Sequence, residues 1–504
     1  MLATSHCTAF RMEASPWPKG KKLVHLDLKG APPRIEYLHK LIELFASLGA
    51  DGLLLEYEDM FPYEGKLKML QATSHPPYSR EEILSIQDVA RSQGLEVIPL
   101  VQTFGHMEFV LKHRSLCGLR ELERCLGTLN PHLEEGRRLV EEMLRQVVDL
   151  HPGLSSIHIG ADEVYLLGEG AESQRWLGGA PGRSVQQLFL GHVTRVARGM
   201  REAWPHLNII MWDDMLRGMD QETLRDSGLG GLVQPMLWDY SPALDVEATV
   251  SLLEKYQASG LAHLWAASSF KGSTCVHTCV PSTLRHVQNH LQWLKVAGSS
   301  PAGDHLQGIA LTGWQRYDHM SVLCELLPVG LPSLASCLQT LLHGRFCPDA
   351  QARATHSLGT HSVEVEAMTG SPGSEAPSFP GSRLAELVVE LTALLDSEEL
   401  RHFENNMYVR GWLSPYHRQR RMVNPLITQQ IQDQAMALQA VVMEKVEAVR
   451  EEMVRLYPAS TAQEWVEQHV EPVMAPLQRV LEATRVCLVE MLPHNPSPSL
   501  GDSQ

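Results

Sequence analysis

Short apolar runs recur along the first part of the chain, and most are separated by segments of helical period. The runs are Leu23–Leu28, Leu53–Tyr57, Leu95–Val101, Ser156–Ala161, Asn208–Trp212, Leu232–Trp238, His263–Ser268 and Gly308–Trp314. Between the first two, Ile35, Leu38, Leu41, Ile42, Phe45 and Leu48 recur every three or four residues until Gly49, which predicts an amphipathic helix. Ser79 and Glu82 make a capping box ahead of Ile83, Ile86 and Val89, and Gly94 closes that helix. Leu139, Met143, Val147 and Leu150 repeat the pattern before Pro152-Gly153. Strand and helix alternating eight times over about 320 residues predicts an α/β fold of the TIM (β/α)8 barrel type. A doubly wound open sheet is the competing architecture. It usually carries a glycine-rich phosphate turn after its first strand, and Lys29-Gly30-Ala31-Pro32-Pro33 is not one.

The barrel is expected over residues 21–350, behind a flexible tail at 1–20. Residues 351–383, rich in Ser, Gly, Thr and Pro, read as a linker or exposed loop. A C-terminal α-helical region is expected over 384–492. In it Ile427, Ile431, Ala435, Leu438, Val442, Val446, Val449, Met453 and Leu456 alternate steps of four and three. Such helices either pack on the barrel or form a homodimer surface. Residues 493–504 read as a disordered tail.

Composition narrows the partners. A net charge of −16 argues against nucleic acid and an anionic membrane, and no apolar stretch has the length of a membrane span. Residues 8–20 carry Arg11, Glu13 and Lys19, so no signal-peptide core is read there. The nine cysteines are odd in number and form no CxxC pair, and the one near-sequon, at Asn495, is interrupted by Pro496. These absences together set the expectation of cytoplasmic or nuclear placement.

In a barrel of this kind chemistry gathers at the C-terminal strand ends. Those ends deliver Asp27 and Lys29; Glu56, Glu58 and Asp59; Gln102, His106 and Glu108; Asp162, Glu163 and Tyr165; Trp212, Asp213 and Asp214; Trp238, Asp239 and Tyr240; Trp265; and Trp314, Gln315, Arg316, Tyr317 and Asp318. Four of the ten tryptophans fall on the last four strands. Apolar rings interspersed with carboxylates suit a sugar, which has C–H faces and hydroxyl edges. Asp162-Glu163 is the sharpest feature. Adjacent strand residues point to opposite faces, so both serve one ligand only if the backbone turns there. Two close carboxylates should raise one pKa, and a carboxyl protonated at neutral pH is what a general acid needs.

These residues resemble a known family. His158-Ile159-Gly160-Ala161-Asp162-Glu163 resembles the active-site signature of glycoside hydrolase family 20, the β-N-acetylhexosaminidases. Val97–His106 resembles its third-strand segment, and Leu53–Asp59 and Thr312–Asp318 match one branch of it. The likeness spans residue 21 to about 345 and extends through Asn406–Tyr408 and Trp412–Arg418. It implies a retaining exo-enzyme that removes a terminal N-acetylgalactosamine or N-acetylglucosamine from a glycan or glycoconjugate. The substrate's own acetamido oxygen would attack the anomeric carbon, giving an oxazolinium intermediate. Glu163 would be the acid and then the base, and Asp162 would orient the acetamido group. Trp238, Trp265, Trp314 and Trp212 would wall the sugar, Tyr240 would donate to the acetamido oxygen, and His106 would support the acid. The resemblance implies no cofactor and assigns no metal.

The chain departs from the family at three points. Lys29 stands where many members carry an arginine for ring hydroxyls. Gln102 and Phe104 replace the usual carboxylate and proline. Arg316 occupies a position usually held by glutamate, which leaves Asp318 to do that work. The rival readings are a metal-dependent TIM-barrel hydrolase using His25, Asp27, His106 and His158, a non-catalytic sugar-binding barrel, and an interaction scaffold built on the C-terminal helices.

Overall fold

The computed structural model describes residues 17, 20–299, 301–364 and 377–491. Most of the proposed N-terminal tail, the C-terminal tail and the centre of the Gly/Ser/Pro-rich segment lie outside the described residues, but Trp17, read as part of the flexible tail, is buried in the core. Eight parallel strands close into a barrel in sequence order. They are β1 (Lys21–Asp27), β2 (Gly52–Glu56), β3 (Glu96–Leu100), β4 (Ser156–His158), β5 (Asn208–Trp212), β6 (Val233–Trp238), β7 (Leu264–Lys271) and β8 (Leu306–Gly313). Closure is direct, with Leu23 of β1 beside Ala310 of β8. The doubly wound alternative is thereby excluded.

Side-chain alternation explains how strands this apolar are used. In β2, Leu54 points into the barrel, where it packs with Leu23, Ile98, Ile210 and Trp212. Its neighbours Leu53 and Leu55 point outward into the larger core beneath the helices. The helix Ile35–Ser47 turns Leu38, Leu41, Ile42 and Phe45 onto that outer face. In the helix Arg80–Ser92, Ser79 accepts the Glu82 N–H and Glu82 accepts the Ser79 N–H, closing the expected capping box. Such a cap contributes about 1 kcal/mol.

Two boundaries differ from the sequence reading. A helix, Pro348–Leu358, occupies the start of the segment read as linker. Proline in its first turn and left-handed Gly359 at its end are local signals strong enough to form it. The next helix among the described residues begins at Ser382 and runs to Leu395. Beyond it lie the 32-residue helix Pro425–Leu456, then Ala459–His469 and Glu471–Met491. Val442, Val446, Val449 and Met453 of the long helix join the same continuous core as Leu38, Leu41 and Phe45. Tyr37 and Tyr457 meet edge to face at 6.2 Å across that junction.

Candidate active site

β4 ends early, after three residues, because the chain then turns left-handed. Gly160, Ala161 and Glu163 have φ of 63°, 67° and 45°. A Cβ on Gly160 would fall 1.9 Å from Gln102 Oε1, so glycine lets Gln102 lie against the turn, and its positive φ suits glycine. Ala161 and Glu163 lack that excuse, and each such residue costs about 1–3 kcal/mol. The turn breaks the strand alternation, so Asp162 and Glu163 line the same cavity. Five of the six non-glycine residues with positive φ among those described, Glu58, His106, Ala161, Glu163 and Leu166, lie on loops after β2, β3 and β4.

The cavity has a volume of about 210 Å³ and opens at the C-terminal mouth. Lys29, His106, Asp162, Glu163, Trp212, Trp238, Tyr240 and Trp314 line it. Glu56, Gln102, Gly272, Ser273 and Tyr317 complete the lining. Clefts of about 910 and 920 Å³ lie among the outer helices, edged with paired arginines and acids, but neither includes these residues. Trp212 is wholly buried at the floor, 5.9 Å from the Trp314 ring centre. Trp238 stacks on Tyr240, Arg217 lies over its ring at 4.7 Å, and its Nε1 donates to Asp214 at 3.4 Å. Tyr240 accepts a hydrogen bond from Trp314 Nε1 at 3.1 Å.

One imidazole nitrogen serves both carboxylates. His106 Nε2 is 3.1 Å from Glu163 Oε2 and 3.5 Å from Asp162 Oδ2. Burial works against a charge on His106, but Asp162 and Glu163 outweigh it and raise its pKa to about 10. Asp162 is pushed up to about 7, first by burial and then by Asp214 and Glu56, against the pull of His106. Glu163 is lowered, chiefly by its hydrogen bond with His106. The rise therefore falls on Asp162, because Glu163 is the more open group, with 35% of its side chain exposed. Asp162 Oδ1, Gln102 Oε1 and Trp212 Nε1 are buried with no hydrogen-bond partner. Unpaired polar atoms around one cavity are what a polar ligand satisfies.

On the opposite wall Lys29 lies 2.9 Å from Asp27, 3.6 Å from Glu56 and 3.8 Å from Glu58. Burial opposes its charge, but these three acids hold its pKa well above the ordinary lysine value. Glu56 stays ionised, at about 2, because Lys29 and His25 outweigh its burial. Lys29 Nζ also sits 5.3 Å from the centre of the Trp314 ring.

Two expected residues are not brought to the cavity. Trp265 lies at the start of β7, next after Leu264, rather than at its end, beside Gly308. It is 4% exposed within the barrel interior, with Nε1 donating to Gln234 at 2.8 Å. The strand runs on to Lys271, and the residues that reach the mouth are Gly272 and Ser273, which carry no distinctive sequence signal. Asp318 turns its carboxylate onto the Met320 N–H at 2.7 Å, and Tyr317 lines the cavity instead. Nor do the histidines of the metal reading converge. His25 Nε2 is 3.2 Å from Glu56, and His158 accepts the Gly160 N–H. Among the described residues no group of three His, Cys, Asp or Glu side chains is arranged to hold a metal ion.

Paired acids, a shared histidine and indole walls at the mouth of a (β/α)8 barrel define a glycoside hydrolase. Comparison with known proteins carries this further. Residues 54–240 match the model described as glycosyl hydrolase family 20, catalytic domain. Hexosaminidase D of Homo sapiens is 49% identical over 468 residues, covering 92% of this chain and 94% of that protein. Hexosaminidase D of Bos taurus is 55% identical over 343 residues, covering 68% and 98%. The chain belongs to glycoside hydrolase family 20, the β-N-acetylhexosaminidases. Solved structures agree on the fold. A β-N-acetylhexosaminidase from Bacteroides fragilis aligns with TM-score 0.50 at 12% identity, over 68% of this chain and 70% of its own. Flavobacterium johnsoniae chitobiase aligns with TM-score 0.51 at 14% identity, over 93% and 72%.

Proposed function

We propose that this enzyme removes a terminal, non-reducing N-acetylglucosamine or N-acetylgalactosamine with retention, using the substrate's acetamido group as nucleophile. The observation that carries this reading is the left-handed turn aiming Asp162 and Glu163 into one indole-walled cavity. The hexosaminidase names of its relatives support the sugar class.

Glu163 donates its proton to the glycosidic oxygen as the C1–O bond breaks. The acetamido oxygen bonds to C1 from the opposite face. Asp162 Oδ1, buried and unpartnered, accepts the acetamido N–H and stabilises the positive charge of the oxazolinium ring. Tyr240, whose oxygen already accepts from Trp314, donates a hydrogen bond to the acetamido oxygen. Trp238 and Trp314 cover the apolar sugar face and the acetamide methyl. Glu163 then takes a proton from water, which attacks C1 as the bond between C1 and the acetamido oxygen breaks and the acetamide is restored. Two inversions restore the original configuration.

Substrate also moves the proton within the pair. The N–H arriving at Asp162 favours its anion, and the sugar strips water from Glu163. Both effects raise Glu163 toward a working acid.

Paired chromogenic N-acetyl-β-glucosaminide and N-acetyl-β-galactosaminide test the proposal. Cleavage should persist in chelator and fall about a hundred- to ten-thousand-fold in Glu163→Gln. Folded protein that cleaves neither sugar, or a Glu163→Gln variant of undiminished rate, would sink it.

A further inference from the structure

The helix Ala459–His469 and the residues before it meet the barrel at the loops following β1 and β8. Arg34, after β1, gives its backbone N–H to Leu456 at 2.7 Å and its side chain to the Val454 and Tyr457 carbonyls. Thr461 Oγ1 donates to the Gly30 carbonyl at 2.8 Å. After β8, the Leu323 N–H donates to Gln468 at 3.0 Å.

Arg316 is the junction of these contacts. Its guanidinium lies against Gly30, where an added Cβ would come within 2.2 Å of Nη2. Nη1 donates to the Ser321 carbonyl, and Nη2 pairs with Glu464 of the C-terminal helix. The backbone N–H groups of Gln315 and Arg316 both donate to Asp27 Oδ2, at 2.7 and 3.3 Å. That same oxygen holds Lys29 at 2.9 Å. Lys29 is therefore fixed between Asp27 and Gly30, and Trp314 and Tyr317 flank the residues that hold them.

We propose that Arg316, Glu464 and Thr461 are positioning residues for the sugar, so that the C-terminal helix sets the cavity wall formed by Lys29 and Tyr317. None of the three lines the cavity itself. Arg316 is 8% exposed, and removing its partner leaves a buried charge uncompensated and its loop free to shift. The wall they brace comes from β1 and β8, whereas His106, Asp162 and Glu163 come from β3 and β4. Loosening it weakens the grip on the ring alike in ground and transition states, which raises KM and spares kcat. The inference rests on the cavity being the N-acetylhexosamine site.

The test is steady-state kinetics of the full chain with Glu464→Ala, Glu464→Gln and Thr461→Val on both chromogenic sugars. Melting curves and calorimetric binding of free N-acetylglucosamine and N-acetylgalactosamine accompany it. KM should rise about tenfold in Glu464→Ala and about threefold in Thr461→Val, with kcat within about twofold of wild type. Glu464→Gln, which keeps an acceptor for Arg316, should recover part of the loss. Wild-type KM in both Glu464→Ala and Thr461→Val, or a fall in kcat at unchanged KM, overturns the proposal. If Glu464→Ala fails to fold, Thr461→Val decides by the same criterion. Wild type that neither cleaves nor binds either sugar overturns the cavity reading and this inference with it. Active wild type with indifferent variants overturns this inference alone.

Discussion

Asp162 and Glu163 face one imidazole nitrogen, and this sets the acid–base behaviour of the free enzyme. The reactive form carries one proton on the pair and a charged His106. A second proton binds only below the usual glutamate range, because the hydrogen bond from His106 lowers Glu163. The first is lost near pH 7, where burial has raised Asp162. His106, at about 10, keeps its charge across that window. A plot of kcat/KM, which reports free-enzyme ionisations, should therefore be bell-shaped, with its alkaline limb near pH 7 and its acid limb below the ordinary glutamate range. In His106→Gln, Glu163 loses a donor and Asp162 a neighbouring cation, so both limbs should move to higher pH. An alkaline limb that stays in place would remove His106 from this account. The adjacent carboxylates were legible as residues in the sequence. Which of them carries the proton was not, since that depends on burial and on a histidine 57 positions away.

The strands were legible because their apolar runs are long enough to be buried on both faces. β4 ends at His158 rather than Ala161, and the difference is the catalytic turn itself. Its geometry depends on a neighbouring loop. Gly105 approaches so closely that a Cβ would fall 1.9 Å from the Asp162 carbonyl oxygen. Gly105→Ala should push the loop bearing His106 away from the acid pair, lowering kcat at least about tenfold and stability by about 1–3 kcal/mol. Wild-type kcat in that variant would show that the close approach has no bearing on catalysis. Trp265 lies in the barrel interior rather than at the mouth. An apolar run marks a strand but not which of its residues reaches the open end, and β7 extends three residues beyond the run.

Across the molecule, one hydrophobic core runs from beneath the barrel helices into the C-terminal helices. Trp465 is fully buried on the C-terminal side of it. Barrel and helical region should therefore unfold together. Loss of activity, far-ultraviolet ellipticity and tryptophan fluorescence should share one midpoint on heating. Two resolved transitions, with activity surviving the first, would show that the barrel stands alone. The periodicity of residues 427–456 announced a helix with an apolar face, but a stripe of that kind is equally the face of a dimer. Within this chain that face packs against the helices Glu471–Met491, Ser382–Leu395 and Ala459–His469.

The sequence by itself determined the eight strand–helix units, the acid pair and most of the indole wall. These follow from local period, from residue type and from the rule that parallel barrels gather function at one end. Only the tertiary structure decided that Trp265 belongs to the interior, that Asp318 faces its own turn, and that Ser273 and Tyr317 reach the cavity. It also decided that Arg316 turns to the C-terminal helix and that burial raises Asp162 while His106 lowers Glu163. The physical reason is the same in each case. A side chain's direction and charge state are set by neighbours distant in sequence, and those neighbours come together only when the barrel closes.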